Sequence, residues 1–247
     1  MPFAREAFGT IGEAVVVPDS EIGPDLLRDA DVLAIRSTIK ASRNLLDGTA
    51  VKFVGTATIG FDHIDTAFLD ERGIRWCAAA GCNANSVAEY IVSALLCLAD
   101  RDGLRLRGST VGVIGVGHVG SLVAAKTAAL GMKVLLNDPP RERAERDGDT
   151  AFTPLDMLLR KSDVVTMHVP LTREGRDPTF RMAGREFFRL VKPGATFINA
   201  ARGQAVENDA LLDALKDGSV SHAVIDTWDP EPAYPLPLLD RVDLGTT

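Results

Sequence analysis

Thr110-Val111-Gly112-Val113-Ile114-Gly115-Val116-Gly117-His118-Val119-Gly120 is the stretch on which the fold of this chain turns. It joins an apolar, β-branched run to a G-x-G-x-x-G pattern, which alone is a weak sign of dinucleotide binding. Its flanks strengthen it. A strand-forming run leads into the glycines, and a small-residue helical stretch with Ala124, Ala125, Ala128 and Ala129 leads out of them. A second apolar run, Lys133–Asn137, ends in Asp138, 18 residues beyond the last glycine. Gly115 permits the tight turn, Gly117 lets backbone N–H groups approach a pyrophosphate, and Gly120 lets helix and strand pack closely. The helix start adds partial positive charge toward phosphates. Asp138 can accept hydrogen bonds from ribose hydroxyls and would repel a 2′-phosphate, which favours NAD over NADP. A glycine turn that merely packs a helix on a sheet explains the glycines but not the acid. NAD is therefore the expected cofactor, held by Gly115, Gly117, His118, Val119, Gly120 and Asp138.

Outward from this segment, short apolar runs alternate with helical patterns, the rhythm of a parallel α/β sheet. Toward the N-terminus, Ala14–Val17, Val32–Ile35, Val51–Gly55 and Ile74–Cys77 read as strands, with helical links over Asp25–Asp29 and Thr66–Arg72. A long helix is expected from about Ser86 to Leu98, its apolar stripe on Val87, Ile91, Leu95 and Leu98. Ser86 followed by Glu89 gives it a capping-box pattern. Toward the C-terminus, strands are expected at Asp163–His168, Ala195–Asn199 and Ala223–Thr227. A helix opened by Thr153–Pro154, with Pro154 at its first position, and another over Asp209–Lys216 stopped by Gly218 complete the pattern. Pro139–Asp149 reads as a surface loop. The fold expected is α/β in two domains: residues 1–90 for substrate and 91–247 a Rossmann NAD-binding domain.

Composition narrows the function. Hydrophobic residues are 46% and charged residues 25% of 247, ordinary for a globular protein. A net charge of −7 with scattered cations argues against nucleic acid or an anionic membrane as partner. Cys77, Cys82 and Cys97 show no metal-ligand spacing, so no metal is expected, and a reduced, cytoplasmic setting fits. Cys82 lacks an evident activating base and reads as an inert thiol.

Two further motifs sit just past strands: Ile198-Asn199-Ala200-Ala201-Arg202-Gly203, and Val224-Ile225-Asp226-Thr227-Trp228-Asp229-Pro230-Glu231-Pro232. Ligands of open α/β sheets bind beyond the carboxyl ends of strands, so both point to one crevice. Arg202 there offers a planar fork able to clamp a carboxylate.

With these motifs the chain resembles the D-2-hydroxyacid dehydrogenase family over essentially its whole length. Arg36-Ser37, the Gly55–His63 stretch, Ala80–Tyr90 and Asn137-Asp138-Pro139-Pro140 resemble the branch that acts on 4-phospho-D-erythronate in vitamin B6 biosynthesis. The resemblance implies a flavodoxin-like substrate domain beside the Rossmann domain, and NAD-dependent oxidation at C2 to a 2-oxo acid. It implies that Arg202 holds the carboxylate and that Glu231 raises the basicity of a catalytic His. Ser37 and Thr58 fall at substrate-contacting positions. Ala200, Asp226 and the backbone at Val169, where the family has Thr, fall at cofactor-contacting ones. Arg36 and Lys40 are candidates for the phosphate, although Lys40 reads equally well as a solvated surface residue. The family's catalytic His follows the strand that here reads Val242–Thr247. The expectation is thus of a chain short of that His, of the first strand, and of the C-terminal helices and dimerisation domain, the complete enzyme being a homodimer. His63, His118, His168 and His222 are each expected to be structural. A dehydrogenase for another 2-hydroxy acid such as 3-phosphoglycerate, or a non-catalytic NAD-binding module, are the alternatives.

Overall fold

The computed structural model describes residues 3–145, 150–230 and 235–246. The chain divides into two compact units, Met1–Cys82 and Asn83–Thr247. The division falls ahead of the long helix, where the sequence places the boundary inside it at 90/91.

The first unit carries α1 (Ala4–Phe8), α2 (Pro24–Leu27), β1 (Val32–Ile35), α3 (Arg43–Leu46), β2 (Phe53–Thr56), α4 (Thr66–Arg72) and β3 (Arg75–Ala78). Its three strands are parallel in the order β1-β2-β3. Leu33, Ile35, Val54, Leu46, Phe68 and Leu69 form its core. Asp65 caps α4 through the Phe68 N–H at 3.1 Å, and Gly73 ends that helix at φ 66°. Ala14–Val17 is not a strand. Its valine-rich apolar run suits a strand, but it lies in no ladder, and Val15 and Val16 are exposed; β propensity needs a partner strand to act on.

In the second unit α5 (Ala84–Asp102) precedes β4 (Thr110–Ile114), α6 (His118–Ala129), β5 (Lys133–Asn137), α7 (Pro139–Ala144), α8 (Leu155–Lys161) and β6 (Val164–Met167). Then follow α9 (Arg185–Leu190), β7 (Ala195–Asn199), α10 (Asn208–Asp217), β8 (Val220–Ile225), α11 (Leu236–Leu239) and β9 (Leu244–Gly245). Six parallel strands form one sheet in the order β5-β4-β6-β7-β8-β9. This is the Rossmann plan: the chain leaves β4 to one side for β5, then crosses to the other side for β6.

Both faces of this sheet are covered, so central strands read as unbroken apolar runs; every residue of β7 is buried. One layer packs Ile91, Leu95 and Leu98 of α5 and Val123 of α6 against Val111, Val113 and Ile198. The other packs Leu158, Phe187, Phe188 and Leu211 against Ile114, Met167 and Phe197.

Local chemistry alters several sequence expectations. The capping pattern at Ser86 is not used, because α5 already starts at Ala84 with Asn83 at its cap position. Glu89 instead accepts from Asn85 Nδ2 at 2.9 Å and lies 3.8 Å from Lys126 Nζ. Pro154 occupies the cap position of α8, not its first helical position. The start of the expected loop Pro139–Asp149 is α7. Asp138 caps it by accepting the Arg141 N–H at 3.1 Å, Pro139 presets its first turn, and Arg141 pairs with Glu145 one turn on. Residues 146–149 lie outside the described residues.

Candidate functional site

The glycine segment is built as the sequence demands. β4 is buried and delivers the chain to Gly115, whose φ of 85° is left-handed. A Cβ there would stand 2.5 Å from the His168 carbonyl oxygen, so this turn closes directly on the segment after β6. A Cβ on Gly120 would lie 1.9 Å from the Gly115 oxygen, which fixes the approach of α6 to the turn. Gly117, the cap residue of α6, is different. A Cβ there meets nothing within 4 Å, so its missing side chain leaves open space over the helix start. His118 is exposed and Val119 half-buried in the first turn.

Asp138 follows β5. Its Oδ2 accepts the Val116 N–H at 2.8 Å and its Oδ1 the Arg141 N–H at 3.1 Å. The carboxylate is thus oriented by two backbone donors. An ionised carboxylate has about four acceptor positions, so each oxygen keeps capacity for a ribose hydroxyl. Arg141 Nη1 also donates to the Val116 carbonyl at 2.6 Å, so the first turn of α7 grips both backbone groups of Val116.

After β6, His168 Nε2 meets Thr166 Oγ1 at 2.9 Å, while its buried Nδ1 has no hydrogen-bond partner among the described residues. Burial pushes the imidazole down to about 4, so the ring is neutral near pH 7. That suits a packing role better than proton transfer. Val169 is half-buried beside it, against the Gly115 turn.

After β7, the Asn199 side chain organises the chain. Its Oδ1 accepts the Ala201 N–H at 3.1 Å, and its Nδ2 donates to the Arg202 carbonyl at 3.1 Å and to Thr227 Oγ1 at 3.2 Å. Ala200 and Arg202 are half-buried, and Arg202 Nη1 donates to the Ala201 carbonyl at 2.7 Å. Gly203 is pressed against the segment after β8, for a Cβ would lie 2.0 Å from the Trp228 carbonyl oxygen. Asp226 follows β8, hydrogen-bonded through its N–H to the Asn199 carbonyl at 2.9 Å, and its Oδ1 accepts from Thr246 Oγ1. Glu231 lies outside the described residues.

The sheet order makes these positions neighbours. Asp138, Gly115–Gly120, His168–Val169, Ala200–Arg202 and Asp226 follow the carboxyl ends of β5, β4, β6, β7 and β8, five consecutive strands of one sheet. In the first unit, Ser37 and Thr58 follow the carboxyl ends of the paired strands β1 and β2. Ser37, Arg36 and Lys40 are exposed. Thr58 Oγ1 meets Thr56 Oγ1 at 2.6 Å and donates to the Gly60 carbonyl at 2.8 Å, and Thr56 Oγ1 meets His63 Nε2 at 2.9 Å.

At the opposite, amino edge of the six-stranded sheet, His222 lies within β8, not before it. It forms a cluster with Asp102 and Asp243 whose ligand atoms lie within 4.8 Å of one another. Arg101 Nη2 is 2.7 Å from both carboxylates, so the cluster carries its own cation. Arg101 and Asp102 hold each other in their charged forms, and their side-chain hydrogen bond is the leading cause. Among the described residues no helix is long and apolar enough to cross a membrane.

Residues 97–247 match the family described as D-isomer specific 2-hydroxyacid dehydrogenase, NAD binding domain. The chain belongs to the D-isomer specific 2-hydroxyacid dehydrogenases. Within the family it is 48% identical, over 247 residues, to the erythronate-4-phosphate dehydrogenase of Bacteroides fragilis, covering all of this chain and 70% of that one. It is 49% identical to the Yersinia pestis enzyme of the same name, covering 65% of it. Among solved family structures, D-lactate dehydrogenase from Aquifex aeolicus, complexed with NAD and lactic acid, superposes with a TM-score of 0.83 at 29% identity, covering 99% of this chain and 84% of that one. NAD-dependent formate dehydrogenase from Staphylococcus aureus, in complex with NAD, gives 0.76 at 26% identity, covering 98% and 78%. NAD is the family cofactor, and the open space over Gly117 together with the oriented Asp138 carboxylate fits it.

Arg141 and Asn199 were given no role from sequence. The signal for Asn199 was legible: a side chain with both donor and acceptor, at the last position of a strand, directly before the Ala200–Gly203 turn. Arg141 carried no such signal while its segment read as loop.

Proposed function

We propose that this chain oxidises 4-phospho-D-erythronate at C2, in the route to vitamin B6, with NAD as hydride acceptor. The observation that carries this reading is that Asp138, Gly115–Gly120, Val169, Ala200–Arg202 and Asp226 lie along five adjacent strand ends. Its supports for the substrate are the two relatives at 48% and 49% identity. Asp138 would accept the adenosine ribose hydroxyls, the N–H groups around Gly117, His118 and Val119 would meet the pyrophosphate, and Val169, Ala200 and Asp226 would line the remainder. Bound NAD supplies the acceptor for the hydride leaving C2. Arg202 binds the substrate carboxylate through its planar fork and polarises the C2 oxygen as it gains carbonyl character. By family resemblance, Glu231 would pair with the catalytic histidine that in the family follows the strand read here as Val242–Thr247, and not with His63, His118, His168 or His222, raising its basicity as it takes the hydroxyl proton. By family resemblance Ser37 and Thr58 are substrate-contacting positions, and Arg36 offers charge to a phosphate. One hydride and one proton leave, giving the 2-oxo acid, NADH and H⁺. As a metabolic dehydrogenase the protein is assigned to the cytoplasm, and by family resemblance to a homodimer.

The test follows NADH formation with 4-phospho-D-erythronate and with 3-phospho-D-glycerate, using Arg202→Ala as comparison. Losing a two-bond charged clamp should lower kcat/KM by roughly 10²–10⁴. Activity indifferent to that substitution, or a preference for phosphoglycerate, would overturn the assignment.

A further inference from the structure

Helix α7 is a six-residue element whose side chains reach in two directions. Toward β4, Asp138 and Arg141 hold the two backbone groups of Val116. Toward the loop after β6, the Arg143 guanidinium pairs with both carboxylate oxygens of Asp177. The pair is half-buried, with side-chain exposures of 33% and 28%, so water screens it less than an open surface pair. It holds Arg143 above and Asp177 below their ordinary values, and Asp138 adds its charge to the hold on Arg143.

The loop presenting Asp177 is braced by hydrogen bonds of its own. The Thr172 N–H donates to Thr179 Oγ1 at 2.8 Å, and the Thr179 N–H returns to Thr172 Oγ1 at 3.1 Å. Thr179 Oγ1 further donates to the Pro170 carbonyl at 2.5 Å, and Thr172 Oγ1 to the Asp177 carbonyl at 3.2 Å. Asp177 is therefore presented from a loop braced by its own hydrogen bonds.

Topology gives this contact its meaning. α7 follows β5 and the 170–179 loop follows β6, while β4 lies between those strands in the sheet. The Arg143–Asp177 pair therefore joins the segments on either side of the strand that runs into Gly115. We propose that Arg143 and Asp177 are positioning residues for the dinucleotide, a bridge across the end of β4 that sets the spacing of the two walls of the adenosine subsite. The proposal rests on the cofactor placement given above. Neither residue touches the reacting atoms. Their effect is on how tightly, and for how long, the adenosine half is held.

NADH and ADP-ribose binding to the whole chain test it, by fluorescence titration and stopped-flow displacement. Arg143→Gln or Asp177→Asn should each raise Kd by about tenfold, mainly through faster release. ADP-ribose should lose the same factor as NADH, because the bridge serves the half they share. The charge-exchanged pair, Arg143→Asp with Asp177→Arg, should recover most of the loss, a rescue that a generic packing defect would not show. Wild-type affinities in both single variants, or an exchanged pair no better than either, would overturn the inference while leaving the cofactor site intact. A wild-type chain that binds neither ligand would overturn the cofactor reading and the bridge with it.

Discussion

Gly203→Ala tests whether the Arg202 turn and the segment after β8 form one rigid unit. The added methyl would be placed 2.0 Å from the Trp228 carbonyl oxygen, 2.1 Å from its carbon and 2.7 Å from the Asp229 nitrogen. All three are backbone atoms, so no side-chain rotation relieves the clash. Ordinary contact requires roughly 3.5 Å, so the two segments must part by an ångström or so. Asn199 resists that movement, because its amide donates to the Arg202 carbonyl and to Thr227 Oγ1 at once. Overpacking of this kind costs about 1–3 kcal/mol, which for a chain of this size lowers Tm by roughly 2–12 °C. The catalytic consequence is larger, because displacing a substrate-holding group by about 1 Å costs on the order of 10²-fold in rate. Gly112→Ala is the control. Its methyl meets the Leu158 side chain at 2.3 Å and Ser162 Oγ at 2.5 Å, within the sheet–α8 layer and away from the Arg202 turn. Both variants should lose thermal stability, but only Gly203→Ala should lose turnover out of proportion. A Gly203→Ala protein that turns over like wild type, or a Gly112→Ala protein equally inactive at a temperature where it is folded, would refute the reasoning.

His168 should make stability depend on pH. Its folded value of about 4 lies below the ordinary 6.5, so below 6.5 the unfolded chain takes a proton that the folded chain refuses. Stability is unaffected above that value and falls between about pH 6.5 and 4, by roughly 3 kcal/mol in total. Urea unfolding of wild type and His168→Asn across that range should show a shallower pH slope for the variant, and parallel slopes would count against a buried neutral ring. Phe197 is fully buried and packs edge-to-face with Phe188 at 5.1 Å and Phe187 at 6.0 Å between ring centroids. Phe197→Ala should cost about 3–5 kcal/mol, and a loss under about 1 kcal/mol in the same assay would mean that the trio does not anchor α9 to β7.

The sequence was most legible where one residue type has one physical use. Gly115, Gly120 and Gly218 occupy positions that a side chain would clash with or strain, and the strands Thr110–Ile114, Lys133–Asn137 and Ala195–Asn199 have the bounds their apolar runs suggest. It was least legible where a pattern has two outcomes. Ser86 and Glu89 spell a capping box yet lie inside a helix, because the earlier Ala84 extends the same buried stripe. Pro139–Asp149 reads as a surface loop yet its start is α7, since a capping Asp and a Pro at the first position start helices as readily as they make turns. Ala14–Val17 is a valine-rich apolar run like that of a strand, but whether a strand forms depends on a neighbouring edge, which local sequence does not specify.

The misread helix bears directly on the site. Taken as a loop, the residues after Asp138 leave the acid as an isolated ribose acceptor on a mobile tether. As α7, the same residues make Asp138 a helix cap, oriented by the N–H groups of Val116 and Arg141 before any ribose arrives. A carboxylate fixed in advance loses less conformational freedom when a ligand binds. It also cannot readily turn away to admit a 2′-phosphate. On the cofactor placement proposed above, the preference for NAD read from a single acid would therefore rest on a short helix that holds the acid in place, and that holds the glycine turn through Arg141 as well.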